Sequence, residues 1–207
     1  MQANLFTNQQ DPTSHEDHDL GDGWVREFPA AFSASESETL RNTLIRQIPW
    51  RQDRVRIAGR ELDVPRLQCW MGDADYAYSG IKLKAEPWHP VVDNIRQRVE
   101  SLTNYPFNVV LLNYYRHGQD SVAWHADDEP ELGDKPVIAS LTLGAERPFQ
   151  FRHKRDKSQP RHRFVLGDGS LLLMGESIQN NWMHQLPKVK GLQEPRLNLT
   201  FRLIAPR

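Results

Sequence analysis

Three residues of metal-binding type stand out: His125 and Asp127, two positions apart, and His184 much later in the chain. Side chains two positions apart lie on the same side of an extended strand. His184 completes a two-histidine, one-carboxylate set only if the sheet folds back on itself. Such a set leaves adjacent coordination positions open and suits non-haem Fe(II) with dioxygen. A zinc hydrolase could use the same ligands, and lone histidines are often structural, so the spacing alone leaves these alternatives open.

A second pattern lies near the C-terminal end, where polar and apolar side chains alternate from Arg196 to Arg202. The polar side chains are those of Arg196, Asn198, Thr200 and Arg202. The alternation predicts a strand whose polar side lines an anion-binding pocket, because a guanidinium forms paired hydrogen bonds with a carboxylate. An edge strand with one side in solvent is the alternative. Asn113 and Tyr115 share a side of an earlier apolar strand, and the combined set suits a small dicarboxylate such as 2-oxoglutarate bound to a metal.

The elements that must position these residues follow from the hydrophobic pattern. Ser35 and Glu38 match a capping box that begins a first helix, and Pro49 ends it. A second helix is predicted from Pro90 to about Leu102. Strands follow at 107–115, 122–125, 137–143, 148–151, 163–166, 170–174, 182–186 and 197–204. We therefore predict a mainly β, α+β protein with flanking helices, whose core is a jelly roll (double-stranded β-helix) or a related double-sheet barrel.

Length and composition favour one soluble domain. The chain has 207 residues, a net charge of −1 and a single cysteine, Cys69, which excludes an intrachain disulfide framework and a cysteine-rich zinc site. Residues 1–22 are polar and predict a disordered or loosely ordered tail, and 23–207 form the single domain. We find neither a targeting peptide nor an apolar run of membrane-spanning length. We therefore expect a cytoplasmic monomer without a membrane partner.

Two basic clusters interrupt this neutral chain, one with five arginines between Arg51 and Arg66 and one from Arg152 to Arg163. Each is either a solvated loop or part of a surface that follows a phosphate backbone. The first cluster is interrupted by Gly59 and predicts a hairpin with exposed arginines. Downstream, Tyr76 and Tyr78 share a side of an extended segment. They either stack on bases or pack in the core.

Taken together, several motifs resemble the AlkB family of Fe(II)/2-oxoglutarate dioxygenases. The motifs are Asn113–Tyr115, His125–Glu129, Ser140–Gly144, Phe149–Lys154, Gly169–Met174, His184–Pro187 and Arg196–Arg202. Val64–Arg66, Tyr78–Gly80 and Pro87–Trp88 extend the resemblance toward the branch that repairs alkylated DNA. The resemblance covers residues 60–204. It implies a jelly-roll core with N-terminal helices and a nucleotide-recognition lid, which we assign to 51–80.

The resemblance also implies the cofactors and their ligands. Fe(II) and dioxygen would act with 2-oxoglutarate as co-substrate. The implied metal ligands are His125, Asp127 and His184. The implied 2-oxoglutarate ligands are Asn113, Tyr115, Arg196 and Asn198, with Arg196 and Tyr115 on its distal carboxylate. Arg202 would lie deeper and support the cofactor or the Asp127 side of the metal.

The implied reaction is oxidative removal of an N-methyl group from bases such as 1-methyladenine or 3-methylcytosine, with loss of formaldehyde. The base must be extruded, because its methyl group is inaccessible in a duplex. The implied substrate contacts are Arg66, Tyr76, Tyr78, Asp128 and Glu129, with Ile57 at the hairpin tip. Hairpin residues 54–60 contain no aromatic wedge, although aliphatic wedges also occur. We therefore favour single-stranded or locally open DNA, with duplex DNA and RNA as further candidates.

Two alternatives come from different functional classes. A 2-oxoglutarate oxygenase could act on a protein or small molecule, but the basic clusters and the paired acids Asp128 and Glu129 count against it. A jelly roll could also be a non-catalytic binding module. The complete set of implied metal and cofactor positions counts against that interpretation. The preferred lesion and the choice between DNA and RNA stay open.

Overall fold

The structure is a computed structural model that describes residues 11–57, 59–78 and 81–204, with the backbone alone at 56–57, 76–78 and 81–83. The helices are α1 (Ala34–Gln47), α2 (Pro90–Thr103) and α3 (Ile178–Asn181). The strands are β1 (Glu16–Asp19), β2 (Trp24–Phe28), β3 (Arg54–Ile57), β4 (Arg60–Asp63), β5 (Leu67–Gly72), β6 (Tyr76–Tyr78), β7 (Ile81–Leu83), β8 (Val109–Tyr115), β9 (Val122–His125), β10 (Ile138–Gly144), β11 (Arg147–His153), β12 (His162–Leu166), β13 (Leu171–Met174), β14 (Trp182–Leu186) and β15 (Arg196–Arg202).

Two antiparallel sheets form the body of the protein. The larger has seven strands in the order β1-β2-β13-β10-β15-β8-β5, and the smaller has four in the order β12-β11-β14-β9. Sequence neighbours are repeatedly placed in opposite sheets, as in a jelly roll. The predicted mainly β fold with flanking helices is confirmed, and each of the eight predicted strands is present with bounds shifted by two residues or fewer.

Strand β15 shows how the alternating sequence builds two different interiors. Its apolar side chains Leu197, Leu199 and Phe201 join the core that packs α1 and α2 against the large sheet. Its polar side chains point the other way, into a pocket between the sheets. Both layers are buried, since β15 lies between β8 and β10 in the sheet. The edge-strand alternative is therefore wrong.

The helices pack on the outer side of the large sheet through Leu44 of α1 and Val92, Ile95 and Val99 of α2. The second helix agrees with prediction and has Pro90 in its first turn. The first begins two residues earlier than predicted. Its capping box is Ser33 with Glu36, and not Ser35 with Glu38. Starting at Ala34 buries Ser37, whose hydroxyl donates to Asp168 in the turn before β13.

The prediction of a loosely ordered tail is wrong at Glu16–Asp19, which forms β1 and pairs with β2 at the edge of the large sheet. Residues 1–10 lie outside the described residues. The predicted hairpin is confirmed as β3–β4, with Gly59 at its turn at φ 80°. A second small hairpin, β6–β7, follows β5. Among the described residues, we find no helix with the length and apolar character that a membrane crossing requires.

Candidate active site

The three candidate metal ligands meet at one end of the pocket between the sheets. His125 ends β9 and lies directly opposite His184 of β14, with their ring centroids 4.2 Å apart. Asp127 follows His125 by two residues, and one ligand atom from each of the three residues lies within 4.8 Å of the others. The fold-back that the sequence required is thus the β9–β14 pairing, which brings the distant histidine to the His-x-Asp segment.

Asp127 is buried and held by two contacts from other elements. Its Oδ2 accepts a hydrogen bond of 2.7 Å from the Arg202 guanidinium, and its backbone N–H donates to Gln179 Oε1 at 3.0 Å. Burial opposes ionisation, but the charge of Arg202, joined at low pH by that of the protonated histidines, outweighs it and holds the pKa of Asp127 well below its usual range. The side chain is therefore an anion around neutral pH, as a metal ligand must be.

Both histidines are held in the neutral form that binds metals. The His125 Nδ1 lies 2.8 Å from the Ala123 carbonyl oxygen. A carbonyl only accepts, so Nδ1 carries the proton and Nε2 keeps its lone pair, 3.8 Å from Asp127 Oδ1. Burial lowers the pKa of His125, and burial together with His125 lowers the pKa of His184 to about 3. Neutral imidazoles beside an ionised carboxylate are a ligand set ready for a divalent cation.

The opposite end of the pocket carries arginine and tyrosine. Arg196 is a direct partner of Tyr115 across β15 and β8, and its guanidinium carbon lies 5.5 Å from the Tyr115 ring centroid. One guanidinium nitrogen donates to Thr142 Oγ1 at 2.9 Å. Its Nε is buried and has no hydrogen-bond partner among the residues that the structure describes. A buried donor without a partner is costly, which makes this end of the pocket a site for an anionic acceptor.

Hydrogen bonds fix the amides between the two ends. Asn198 donates to Ser140 Oγ at 2.8 Å and to the Leu141 carbonyl at 3.0 Å. Asn113 is its partner on β8 and accepts from Arg66 Nε at 2.7 Å. Arg66 is thus buried in the pocket wall, which removes it from the exposed basic surface that the sequence suggested.

Gly144 allows the chain to pass close to Arg196 at the end of the pocket that carries Arg196 and Tyr115, which we call the carboxylate-binding end. It ends β10 opposite Arg196 with φ at 96°, a left-handed conformation that suits glycine. A Cβ at this position would lie 2.4 Å from the Pro195 carbonyl oxygen. The chain therefore approaches β15 closely here, just before the arginine that enters the pocket.

Comparison with known proteins identifies this arrangement. The sequence profile of the 2OG-Fe(II) oxygenase superfamily matches residues 25–202. The chain is 38% identical to DNA oxidative demethylase ALKBH2 of Homo sapiens, over 90% of the chain and 76% of that protein. It is 39% identical to alpha-ketoglutarate-dependent dioxygenase alkB homolog 3 of Homo sapiens, over 86% of the chain. The chain belongs to the AlkB family.

Two further findings bear on this AlkB-family chain. It spans 65% of the length of the human alkB homolog 3 protein. The solved structure of OsALKBH1 superimposes with a TM-score of 0.60 at 16% identity, covering 86% of this chain and 97% of that one. That identity supports the fold alone, and the fold agrees with the jelly roll described above.

Family membership implies Fe(II), 2-oxoglutarate and dioxygen, and the residues of the pocket fit them. Two neutral imidazoles and one carboxylate suit Fe(II) and leave coordination positions open for a co-substrate. The unpaired Nε of Arg196 at the far end suits a carboxylate. A zinc hydrolase would not need that second end. The metal end and the arginine end therefore match the two functional ends of an oxo-dicarboxylate.

The structure describes the side chains of only some of the predicted substrate contacts. Asp128 is exposed, and Lys154 Nζ lies 2.6 Å from its carboxylate. Glu129 is half-buried and precedes a short 3-10 turn at Pro130–Leu132. The backbones of Tyr76 and Tyr78 lie in β6 and that of Ile57 in β3. Their side chains lie outside the described residues, so the stacking and wedge roles stay predictions.

Sequence reasoning missed several residues that support the pocket. Gln179 is fully buried. Its side-chain oxygen accepts a hydrogen bond from the Asp127 backbone N–H, and its backbone carbonyl oxygen accepts one of 2.6 Å from Lys154 Nζ. Ser140 and Thr142 of β10 accept from Asn198 and Arg196. Ser140 and Thr142 are two residues apart and so lie on the same side of β10, which pairs with β15 in the sheet. This spacing could have identified them from the sequence. No pattern in the sequence marks Gln179.

Proposed function

We propose that this chain is an oxidative demethylase of N-alkylated nucleobases, of the 1-methyladenine and 3-methylcytosine type, and serves direct-reversal repair of DNA. The supporting observation is the two-ended pocket. Three metal-binding side chains lie at one end, and an arginine with a buried unpaired nitrogen lies at the other. The identity to the ALKBH2 and alkB homolog 3 proteins supports nucleic acid as the substrate class.

His125, Asp127 and His184 would hold Fe(II), and Arg196, Tyr115, Asn113 and Asn198 would hold 2-oxoglutarate. The chemistry that the bound cofactors supply is hydroxylation of the N-methyl group by dioxygen, coupled to decarboxylation of 2-oxoglutarate to succinate. The hydroxymethyl product then loses formaldehyde and restores the base. The protein contributes position, charge and exclusion of water.

Three contacts near the metal end hold the metal-binding side chains in place in this proposal. Arg202 binds one oxygen of Asp127 and leaves Oδ1 directed toward His125. The Ala123 carbonyl fixes the His125 tautomer, so that Nε2 is the ligand atom. Gln179 fixes the backbone at Asp127. These contacts hold the ligand set before the metal binds, which limits the reorganisation that binding requires.

The surface beside the metal end supports a polyanionic substrate. Strand β11 pairs with β14 next to His184 and leads into the second basic cluster. The exposed cations of that cluster are Arg155, Lys157, Arg161 and Arg163. The first cluster is less available, since Arg51 is paired with Glu86 and Arg54 with Asp63. Cations on one side of the site can bind the phosphate backbone of a nucleic acid whatever its base sequence.

The test is succinate formation with Fe(II) and 2-oxoglutarate, in the presence of a 1-methyladenine oligonucleotide or its unmethylated twin. Mass spectrometry of the oligonucleotide follows the methyl group. We expect stimulated turnover and loss of one methyl. Asp127→Ala should abolish both signals, because it removes a metal ligand, and Asp134→Ala is the control for an exposed acid in the same loop. Basal turnover without methyl loss would move the substrate to the protein or small-molecule class. Iron-loaded protein without any turnover would favour the binding module.

We further propose single-stranded or locally open DNA as the preferred substrate and a cytoplasmic monomer as the active species. The absence of an aromatic residue at hairpin positions 54–60 supports the first point. Parallel assays on matched single-stranded and duplex oligonucleotides test it, and equal rates would contradict it. Light scattering of the purified protein tests the monomer. Fractionation of the source cells tests the compartment.

A further inference from the structure

Arg147, at the start of β11, is a buried cation that no metal or cofactor role assigned above uses. Along β11 the inward-facing side chains are Arg147, Phe149 and Phe151, with half-buried residues between them. Its side chain is only 1% exposed, and burial lowers its pKa while Tyr115 and Asp120 oppose that effect. An arginine on an otherwise aromatic inward side is expensive to bury unless it has a specific partner.

The contacts that Arg147 makes do not neutralise its charge. One guanidinium nitrogen donates to the backbone carbonyls of Asp120 and Pro187, at 3.0 and 2.6 Å. The Asp120 carboxylate is engaged elsewhere, because Arg116 binds both of its oxygens at 2.7 and 2.9 Å. The Arg147 Nε is buried and has no hydrogen-bond partner within the described part of the chain.

Arg147 and Arg196 lie around the same aromatic ring. The guanidinium carbon of Arg147 is 6.0 Å from the Tyr115 ring centroid, and that of Arg196 is 5.5 Å away. The two positive charges also repel each other. Burial lowers the pKa of Arg196, and the charge of Arg147 lowers it further. Against the opposing effect of Tyr115, the pKa falls to about 10. Neither has an ion-pair partner among residues 11–57, 59–78 and 81–204. Two buried positive charges therefore lie around Tyr115, and neither forms an ion pair with a described carboxylate.

We propose that Arg147 is a positioning residue for the distal carboxylate of 2-oxoglutarate, acting from behind Tyr115 and adding to the positive potential that Arg196 presents to the pocket. The proposal rests on the proposed function, because it requires the dicarboxylate to bind at this end. Arg147 does not line the pocket itself. It acts through the Tyr115 ring and through its charge, which the low-dielectric interior screens weakly.

The test compares two ligands that differ only at the distal end. 2-Oxoglutarate carries a carboxylate where 2-oxovalerate carries a methyl group, and both have the same oxo-acid head. Anaerobic titration calorimetry of the Fe(II)-loaded protein gives both dissociation constants without turnover. The variants are Arg147→Gln, which keeps hydrogen-bond donors, and Arg147→Lys, which keeps the charge. Arg96→Gln, on α2 away from the pocket, is the control for loss of a partly buried arginine.

In Arg147→Gln we expect the dissociation constant for 2-oxoglutarate to rise about tenfold and that for 2-oxovalerate to change less than about twofold. Arg147→Lys should recover most of the preference for the dicarboxylate, and Arg96→Gln should leave both constants unchanged. A merely structural clamp of the Asp120 and Pro187 carbonyls would weaken both ligands equally, and that result overturns the proposal. Unchanged binding in Arg147→Gln overturns it as well.

The wild-type titration separates this proposal from the proposed function. A wild-type protein that fails to bind 2-oxoglutarate would contradict the proposed function and this inference with it. A wild-type protein that binds 2-oxoglutarate, with variants that bind it equally well, contradicts only the role of Arg147. Should Arg147→Gln not fold, Arg147→Met carries the same comparison of ligands, and circular dichroism establishes which variant is folded.

Discussion

The two ends of the pocket treat buried charge in opposite ways. At the metal end, the Asp127 carboxylate lies 2.7 Å from the Arg202 guanidinium, and both side chains are almost fully buried. At the carboxylate-binding end, Arg196 and Arg147 are equally buried, yet neither forms an ion pair with a carboxylate of the described residues. One end is balanced by the protein itself, and the other is left for an anionic ligand.

This difference assigns stability and function to different residues. A buried ion pair that loses one partner leaves an uncompensated charge, which is strongly destabilising. A buried charge that already lacks a partner is a standing cost to the ligand-free fold, so its removal relieves that cost. The comparison therefore predicts that two arginines six residues apart on the same side of β15 respond oppositely to the same substitution.

Arg202→Met should produce the largest effect on stability, a loss of about 3–5 kcal/mol in the free energy of unfolding, because Asp127 is left buried and unpaired. Urea unfolding of the metal-free protein measures it. The double variant Asp127→Asn with Arg202→Met removes both charges and should recover most of the loss. A double variant as unstable as the single one would show that packing of Arg202, rather than its charge, stabilises the metal end.

Arg196→Met should leave the free energy of unfolding of the ligand-free protein unchanged or slightly higher, since Arg196 has no ionic partner there. It should weaken 2-oxoglutarate binding by about 1.5–3 kcal/mol, the value of a hydrogen-bonded charge. Urea unfolding and anaerobic titration calorimetry measure the two quantities. A loss of stability as large as that of Arg202→Met would erase the distinction between the two ends.

Much of this site was predictable because strand alternation is a local property. The polar side of Arg196–Arg202 and the His-x-Asp spacing each specify a direction for several side chains at once, and both predictions of side-chain direction are confirmed. Arg147 was not predictable, because the run from Arg147 to Phe151 shows one arginine before aromatic residues and gives no indication that it is buried. Its environment depends on Tyr115, Asp120 and Pro187, which come from other parts of the chain.

Long-range pairing also explains the other errors. The segment Glu16–Asp19 is polar throughout, so its pattern carries no strand signal, and it becomes β1 because β2 offers an open edge. Arg66 belongs to a basic run in the sequence, yet its pairing with Asn113 draws it into the pocket wall. In both cases a partner distant in sequence decides the structure, and composition describes only the segment itself.

The acid dependence of stability should come from the metal end. The folded pKa of His184, about 3, lies below its ordinary value of 6.5, so between these values the unfolded chain binds the additional proton. Stability is therefore lost as the pH falls below about 6.5. From about pH 7 to about pH 5.5, the metal-free wild-type protein should lose about 1 kcal/mol more than His184→Gln, by urea unfolding. Arg196 stays charged throughout this range, and parallel pH curves for wild type and His184→Gln would contradict the assignment.

A small effect is expected at the start of α1, where the paired charge is exposed to water. Ser33 and Glu36 form the capping box, and the hydrogen bonds from Ser33, helped by Arg98, lower the pKa of Glu36 to about 2. The ionised Glu36 carboxylate therefore contributes to the free energy of unfolding above about pH 4.5, and this contribution is lost as the pH falls toward 2. Solvent screens this pair, in contrast to Arg202 and Asp127, so Ser33→Ala should cost only about 1 kcal/mol at neutral pH, measured by urea unfolding. Ser35→Ala is the matched control, since Ser35 begins the alternative Ser-x-x-Glu match and should change stability by only a few tenths of a kcal/mol. A larger loss in Ser35→Ala than in Ser33→Ala would mean that the helix begins at the later serine in solution.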